Sequence, residues 1–361
     1  MYYREYESFD ILEVAQKCGL QIYPHHNKEV EFKALCPFCG DTKYHLGLNR
    51  QKGFFHCFKC GEKGNSISLY AKIYGLSNGD AYKALAKNED LKEKNINIVK
   101  PVIETPMRTL AERHDVYYDF LSLLRLSQSH RNSLRARGLT EPEMLQFMYR
   151  SVPLDPVFRR SVLEKLASRH NLDGIPGFYV DEAGRTQMYL NSCGGIFIPV
   201  CNHEGYIQGL QMRLDVSKGS SEKKFRWFSS RYFPHGTGAR PWIHVVGDTT
   251  SGEAMLTEGA MKGDIASVLT QGKLFIAVPG VNAIEYLPEV MRSLNISKVY
   301  ETFDMDKSSN AQVKKALLKL HEVLDENGIR YKGCKWNPKY NGIDDYAYAK
   351  SMYLHAEPLV A

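Results

Sequence analysis

Two C-x-x-C knuckles constrain this chain more than any other feature. Cys36-Pro-Phe-Cys39 and Cys57-Phe-Lys-Cys60 are separated by 17 residues. The two-residue gap in each lets both sulfurs face one point, and two such turns complete a tetrahedral set of four thiolates. Four protein ligands leave no open position, so the expected metal is one structural Zn2+. His45 and His56 lie nearby and could each replace a thiol, although four thiols suffice. Of eight cysteines, the other four are scattered at Cys18, Cys193, Cys201 and Cys334. Those four read as small buried apolar residues rather than a disulfide framework.

Leu46–Arg50 and Gly53–His56 fit two antiparallel strands between the knuckles, alongside Lys43, Arg50, Lys52 and Lys59. Two readings of Phe54, Phe55 and Phe58 stay open. They form a stacking face for unpaired bases, with the cations meeting phosphates, or they fill a small core. Cys36-Pro-Phe-Cys39 followed by Phe55-His-Cys-Phe-Lys-Cys-Gly-Glu-Lys-Gly-Asn-Ser-Ile67 resembles the zinc-binding domain of bacterial DnaG-type primases. That family usually has His as its second ligand, where this chain has Cys39.

The pattern along the chain predicts a multi-domain α/β protein. A zinc-ribbon domain is expected over 1–88 and a lysine-rich linker with Pro101 and Pro106 over 89–110. An α+β middle part is expected over 111–250, with a hairpin formed by Gly195–Val200 and Tyr206–Met212 around Asn202-His-Glu-Gly205. From 251 to 361 strands and helices alternate: strands at Ala254–Thr257, Leu274–Val278, Lys298–Phe303 and Ile329–Lys335, and helices at Ala260–Thr270, Ile284–Leu294 and Ala311–Glu326. Such alternation implies a mostly parallel sheet covered on both faces.

Glu258 ends the first of these strands, just before Gly259, and Asp304-Met-Asp306 ends the third. Ligands of an open parallel sheet gather at the carboxyl ends of its strands. Glu258, Asp304 and Asp306 are therefore expected to converge, with the two aspartates pointing the same way by the period of two along a strand. Carboxylates at a wet strand edge suit Mg2+ or Mn2+ held together with substrate phosphates. Strand-Glu-Gly-helix followed by strand-Asp-x-Asp is similar to the TOPRIM domain shared by primases, topoisomerases and some nucleases. The resemblance adds Asp344, in Gly342-Ile-Asp344-Asp345-Tyr346, as a further metal ligand. It also places Lys307-Ser-Ser-Asn310 where the family often has Arg. Lys262, at the start of the following helix, reads either as a phosphate holder or as an exposed first-turn residue.

The formal charge is +6, and the basic residues cluster. From Gly205 to Arg240 there are seven Lys or Arg against Asp215 and Glu222, interleaved with Phe225, Trp227, Phe228, Tyr232 and Phe233. Arg213, Lys223, Lys224 and Arg226 are the expected nucleotide- and template-binding residues of this stretch. Arg137-Gly138-Leu139, Ile196–Val200, Gly205–Gly209 and Met212-Arg213 follow the order of the primase polymerase core, so the resemblance touches about 8 to 349.

No apolar run approaches the roughly 18 residues of a membrane span, and Met1–Asp10 has no signal-peptide character. A cytoplasmic protein without a membrane partner is expected. The resemblance implies a DNA primase, making short RNA primers on a single-stranded DNA template from ribonucleoside triphosphates. Its compact layout resembles a phage or plasmid form without the cellular enzyme's helicase-interacting domain, which leaves a replicative helicase in trans as a further partner. Two alternatives stay open: a TOPRIM nuclease or topoisomerase-like enzyme, and a non-catalytic zinc-ribbon DNA-binding replication protein.

Overall fold

A computed structural model describes residues 9–23, 30–39, 41–87, 105–181, 183–190, 194–216, 224–231, 233, 235–304 and 311–355. The chain divides into two compact units, Met1–Ile103 and Glu104–Ala361. Of the expected linker, 89–104 lies outside the described residues. From Thr105 onward the backbone is already pinned in the second unit: Thr105 N donates to Gly236 O at 3.0 Å and Arg108 N to Gly174 O at 3.0 Å.

The first unit opens with helix α1 (Ile11–Lys17), whose N-cap Asp10 accepts from Leu12 N and Glu13 N. Strands β1 (Glu31–Ala34), β2 (Leu46–Asn49), β3 (Phe54–Cys57) and β4 (Lys63–Asn65) follow and form one antiparallel sheet in that order. Helices α2 (Ser66–Tyr74) and α3 (Asn78–Ala86) complete the unit. Ile11, Leu46, Leu48, Phe55 and Tyr70 are fully buried in it.

The second unit begins with helices α4 (Leu110–Leu123), α5 (Gln128–Arg135) and α6 (Glu141–Gln146), strand β5 (Arg150–Ser151) and helix α7 (Pro156–Ala167). β6 (Phe178–Val180) and β7 (Thr186–Met188) form a small hairpin. The expected hairpin is β8 (Gly195–Cys201) against β9 (Ile207–Leu214), extended by β10 (Phe225–Trp227) in a sheet of order β10-β9-β8-β5. Six consecutive residues of β8 are buried because each face meets a different core. Phe197 joins Phe120, Phe178 and Phe228 on one side, with ring centroids 5.2–5.8 Å apart. Each such ring contributes about 1.5–3 kcal/mol by leaving water. Ile196, Ile198 and Val200 face the other core, with Ala260, Met261 and Ile265.

Those last residues belong to the third sheet's helix layer. β11 (His244–Val246), β12 (Glu253–Glu258), α8 (Ala260–Leu269), β13 (Phe275–Val278), α9 (Leu287–Ser293), β14 (Lys298–Glu301), α10 (Ala311–Glu326), β15 (Arg330–Gly333) and α11 (Ile343–His355) follow in order. The sheet runs β11-β13-β12-β14-β15, parallel throughout except for β11, which pairs antiparallel with β13. β11 starts this sheet seven residues before the position expected from sequence, 251, and the expected middle and C-terminal segments share one compact unit. The helix expected over Ile284–Leu294 begins as a 3-10 turn, Val281–Tyr286, before α9.

Candidate active-site cleft and zinc ribbon

Each C-x-x-C turn presents two sulfurs, and the antiparallel sheet brings the turns together. All four sulfurs of Cys36, Cys39, Cys57 and Cys60 lie within 4.8 Å of one another. Cys36 Sγ is 3.8 Å from Cys60 Sγ, and Cys39 Sγ is 3.8 Å from Cys57 Sγ. A tetrahedron with Zn–S bonds of about 2.3 Å has edges of about 3.8 Å, so the donor set fits zinc. Phe38 N and Cys60 N each donate to a knuckle sulfur, Cys36 Sγ at 3.5 Å and Cys57 Sγ at 3.4 Å. Asp41 braces the first knuckle, accepting from Cys36 N, Lys43 N, His45 N and His45 Nδ1. Burial opposes the charge on Asp41, yet these hydrogen bonds hold its carboxyl below the ordinary value. His45 is thereby committed to Asp41, and neither His45 nor His56 joins the sulfur set.

The three ribbon phenylalanines part company. Phe55 is fully buried, whereas Phe54 is 37% and Phe58 73% exposed. Phe58 stacks edge-on with His56 at 4.8 Å. Arg50 is tied to Asp10 at 2.5 Å and pins α1 to the ribbon. Among the scattered cysteines, burial pushes the Cys18 and Cys201 thiols up to about 12, which leaves them unreactive. Cys193 lies outside the described residues.

In the second unit a cleft of about 410 Å³ opens at the carboxyl ends of β12 and β14. Glu258 is the last, exposed residue of β12. The chain must then reverse into α8, and Gly259 does so at φ 85°, where a side chain would strain the backbone. Its N–H is held by Val278 O at 2.9 Å. This turn sets Lys262 on the first turn of α8, facing the same cleft.

Asp304 lies three residues beyond β14, not on it. The alternation argument for Asp304 and Asp306 therefore does not apply, and Asp306 is outside the described residues. Asp304 pairs with Lys262 and accepts from Asn341 Nδ2 at 3.1 Å. Asp344, in the first turn of α11, is 3% exposed and pairs with Arg137. Burial raises the Asp344 carboxyl, Asp345 adds to the rise, and Arg137 and Lys262 oppose it. Among the described residues only the four cysteines form a group of three or more metal-ligating side chains within 4.8 Å. The acids share one cleft, but each of Asp304 and Asp344 is held by a cation rather than gathered into a ready coordination sphere.

The cationic wall comes from the segment after α5 and from the β8–β9–β10 sheet. Arg137, Gln211, Lys224 and Phe225 line the cleft. Register explains which basic residues take part. Arg213 opposes Phe225 and Gln211 opposes Trp227, so these four share a face, whereas Arg226 opposes Met212 on the other face. Arg226 instead approaches the Tyr189 hydroxyl at 3.4 Å, on the face away from Phe225. Burial lowers the Arg213 guanidinium and the Lys224 ammonium, and the neighbouring cations add to this. The Nε atoms of Arg137 and Arg213 are buried without hydrogen-bond partners. Lys223 lies outside the described residues.

Gly342 sits where a Cβ would collide with Asp344 Oδ1 and approach Lys262 and Asp304. The bare backbone keeps the floor of the cleft open. Carboxylate oxygens on one side, half-buried arginines with an unused Nε donor each on the other, and a bare floor fit a hard divalent cation carried with a polyanion. Sequence alone assigns no site role to Arg137 and Asp345, although both stand in motifs quoted from it, nor to Asn341 and Gln211. Arg137 meets its partner across 207 residues, and no local pattern signals that contact.

Behind the cleft, Asp264 of α8 is 1% exposed and accepts from Tyr149 Oη at 2.5 Å. His244 Nδ1 accepts from Cys201 N at 2.9 Å, which leaves Nε2 to donate to Asp264 at 2.8 Å. This buried trio ties α8, and with it Lys262, to the segment after α6 and to β8.

Residues 7–100 match the family model described as the CHC2 zinc finger of DnaG, and 242–353 match a domain of unknown function, DUF3854. The chain is 25% identical to a DNA primase of Lactococcus lactis over 199 residues, covering 53% of this chain and 30% of that one. It is 23% identical to a DNA primase of Chlamydia trachomatis over 353 residues, covering 93% and 55%. It thus spans only part of the curated relatives' length. A crystal structure of the zinc-binding and RNA polymerase domains of the Aquifex aeolicus primase has the same fold, with a TM-score of 0.50 and 17% identity over 96% of this chain and 81% of that chain. The chain resembles the DnaG-type primases in its zinc ribbon and in its α/β core.

Proposed function

We propose that this protein is a DNA primase that joins ribonucleoside triphosphates into short RNA primers on single-stranded DNA. The observation that carries the reading is the pairing of Lys262 with Asp304 and of Arg137 with Asp344 in one cleft, beside exposed Glu258. Four acids and the cations Arg137, Lys224 and Lys262 line it together, and a metal–triphosphate complex satisfies both sides at once. The similarity to curated DNA primases supports the same reading.

Glu258, Asp304 and Asp306 would hold the metal, with Asp344 as a further ligand. Bound to these oxygens, magnesium or manganese supplies charge neutralisation on the triphosphate and makes the primer 3′-hydroxyl easier to deprotonate. Lys262 and Arg137 turn from their carboxylates towards phosphate oxygens. Lys224 and Arg213 add positive charge at the triphosphate. Glu258 serves either as metal ligand or as the base that takes the hydroxyl proton. The ribbon's exposed Phe54 and Phe58, beside Lys52 and Lys59, offer a stacking face to unpaired template.

No helix among the described residues is long and apolar enough to cross a membrane, which is compatible with work in the cytoplasm. A replicative helicase would act in trans. Incubating the protein with ribonucleotides, magnesium and circular single-stranded DNA tests the proposal. Short labelled RNA supports it. Linearised single-stranded DNA without RNA, or relaxation of supercoiled duplex in a parallel reaction, would point to a nuclease or topoisomerase, and template binding alone to a non-catalytic replication protein.

A further inference from the structure

A second cavity, of about 320 Å³, lies apart from the acidic cleft, between the Arg240–Ile243 loop, the β8–β9 turn and α9. Its size matches the lower end of small-molecule sites. Trp242 and Tyr286 are its aromatic lining residues, and Arg240, Glu289, Gln208, Asn202, His203 and Ser293 supply the polar lining.

Trp242 is held rigidly. A Cβ at Gly209 would collide with its six-membered ring, so the indole lies directly on bare backbone. Trp227 packs edge-on against it at 5.5 Å. The Arg113 guanidinium sits over it at 4.9 Å. Gln208 Nε2 donates to Ile243 O at 2.8 Å and fixes the loop that carries Arg240 and Trp242.

Two arginines meet at this corner, while Glu289 lines the cavity and Glu285 accepts a hydrogen bond from the Tyr286 side chain. Arg113 is only 8% exposed, and its Nε has no hydrogen-bond partner. Among the described residues neither Arg113 nor Arg240 is in an ion pair, and burial together with nearby Arg240 depresses the Arg113 guanidinium. A buried cation without a counter-anion is costly unless a negative charge is supplied from elsewhere. Tyr286, 45% exposed, leaves its ring free to meet a planar partner.

We propose that this cavity binds one nucleotide unit, with its base on the exposed ring of Tyr286 beside the edge of Trp242 and its phosphate at Arg240. Aromatic faces favour any base, and a guanidinium is suited to phosphate oxygens. Glu289 can accept from an exocyclic amino group. The nucleotide comes either free from solution or as one unit of a bound nucleic-acid strand. The inference stands independently of polymerisation in the acidic cleft.

Photo-crosslinking in magnesium-free buffer tests it on the full chain, with 8-azido-AMP in one arm and a 5-iodouracil-containing single-stranded oligodeoxynucleotide in the other. Label is expected on Trp242 or Tyr286, and it should fall roughly tenfold in Arg240→Glu, the loss of one charge-assisted contact. Lys262→Ala, in the other cleft, should leave this label unchanged. Label from 8-azido-AMP identifies a free-nucleotide site, and label from the oligonucleotide alone identifies a strand subsite. Arg240 and Tyr286 are exposed, so a melting curve on Arg240→Glu and Tyr286→Leu separates lost binding from lost fold. Label confined to Glu258–Lys262, or label at Trp242 and Tyr286 that survives in a folded Arg240→Glu protein, would overturn the proposal.

Discussion

Removing Arg137 exposes how the cleft balances its charges. Asp344 is 3% exposed and its partner's guanidinium 29%. Breaking a fully buried pair from one side costs about 3–5 kcal/mol. Because Arg137 is almost a third exposed, solvent screening reduces this to about 2–3 kcal/mol. At roughly 2–4 °C per kcal/mol for a unit of this size, Arg137→Ala should lower the melting temperature by roughly 5–10 °C. The pH dependence has a definite sign. The folded Asp344 carboxyl already lies above its ordinary value, chiefly through burial. Its contribution is therefore fully present below the unfolded pKa and is lost as pH rises through the folded one. Without Arg137 that folded value moves higher still, so the deficit grows from mildly acidic to alkaline pH. Arg137→Ala/Asp344→Asn removes the stranded charge and should recover at least half the loss. Scanning calorimetry of the wild type, Arg137→Ala, Asp344→Asn and the double variant at several pH values measures this. An Arg137→Ala protein as stable as wild type above neutral pH, or a double variant no better than the single, would refute the argument.

Cys57→Ser should abolish the one tightly bound zinc expected per chain and unfold the ribbon, because metal binding supplies folding free energy to so small a sheet; elemental analysis and amide-exchange protection over β1–β4 read this directly. Lys224→Ala should weaken nucleotide or template binding and reduce its log–log salt slope by about 0.7–0.9, whereas Arg226→Ala, on the opposite face of the sheet, should leave the slope unchanged. Tyr149→Phe strips a donor from buried Asp264 and should destabilise the second unit by about 1–3 kcal/mol; an unaltered urea midpoint would show that the trio is not needed to hold α8.

Strong local patterns were legible in the sequence. The two knuckles, the β8–β9 hairpin and the alternating β12–α8–β13 and β14–α10–β15 runs follow from spacing, period and turn residues, and Glu258-Gly259 announced its strand-to-helix turn. What the sequence concealed depends on register and distance. Arg226 alternates with Phe225, and only the pairing with β9 decides which of them faces the cleft. Asp304 looks like a strand end, but β14 stops at Glu301 and the aspartate hangs from the following segment. β11 is three residues long, too short to carry a period. Arg137 stands in the Arg137-Gly138-Leu139 segment that the resemblance picks out, but nothing local shows that its partner is Asp344 of α11.

The central claim is that Glu258 and Asp304 serve chemistry rather than stability. Glu258 is exposed at the end of β12 and Asp304 lies in the segment after β14, partly exposed and paired with Lys262, so Glu258→Gln and Asp304→Asn remove charge without opening a core. RNA primer synthesis on single-stranded DNA, melting temperature and zinc content should be measured on the same preparations. The account predicts a loss of synthesis beyond the roughly 100-fold that removal of an outer partner of a metal site causes, with melting temperature and zinc retained. An Asp304→Asn protein that melts earlier yet makes primers at the wild-type rate per folded molecule would contradict it.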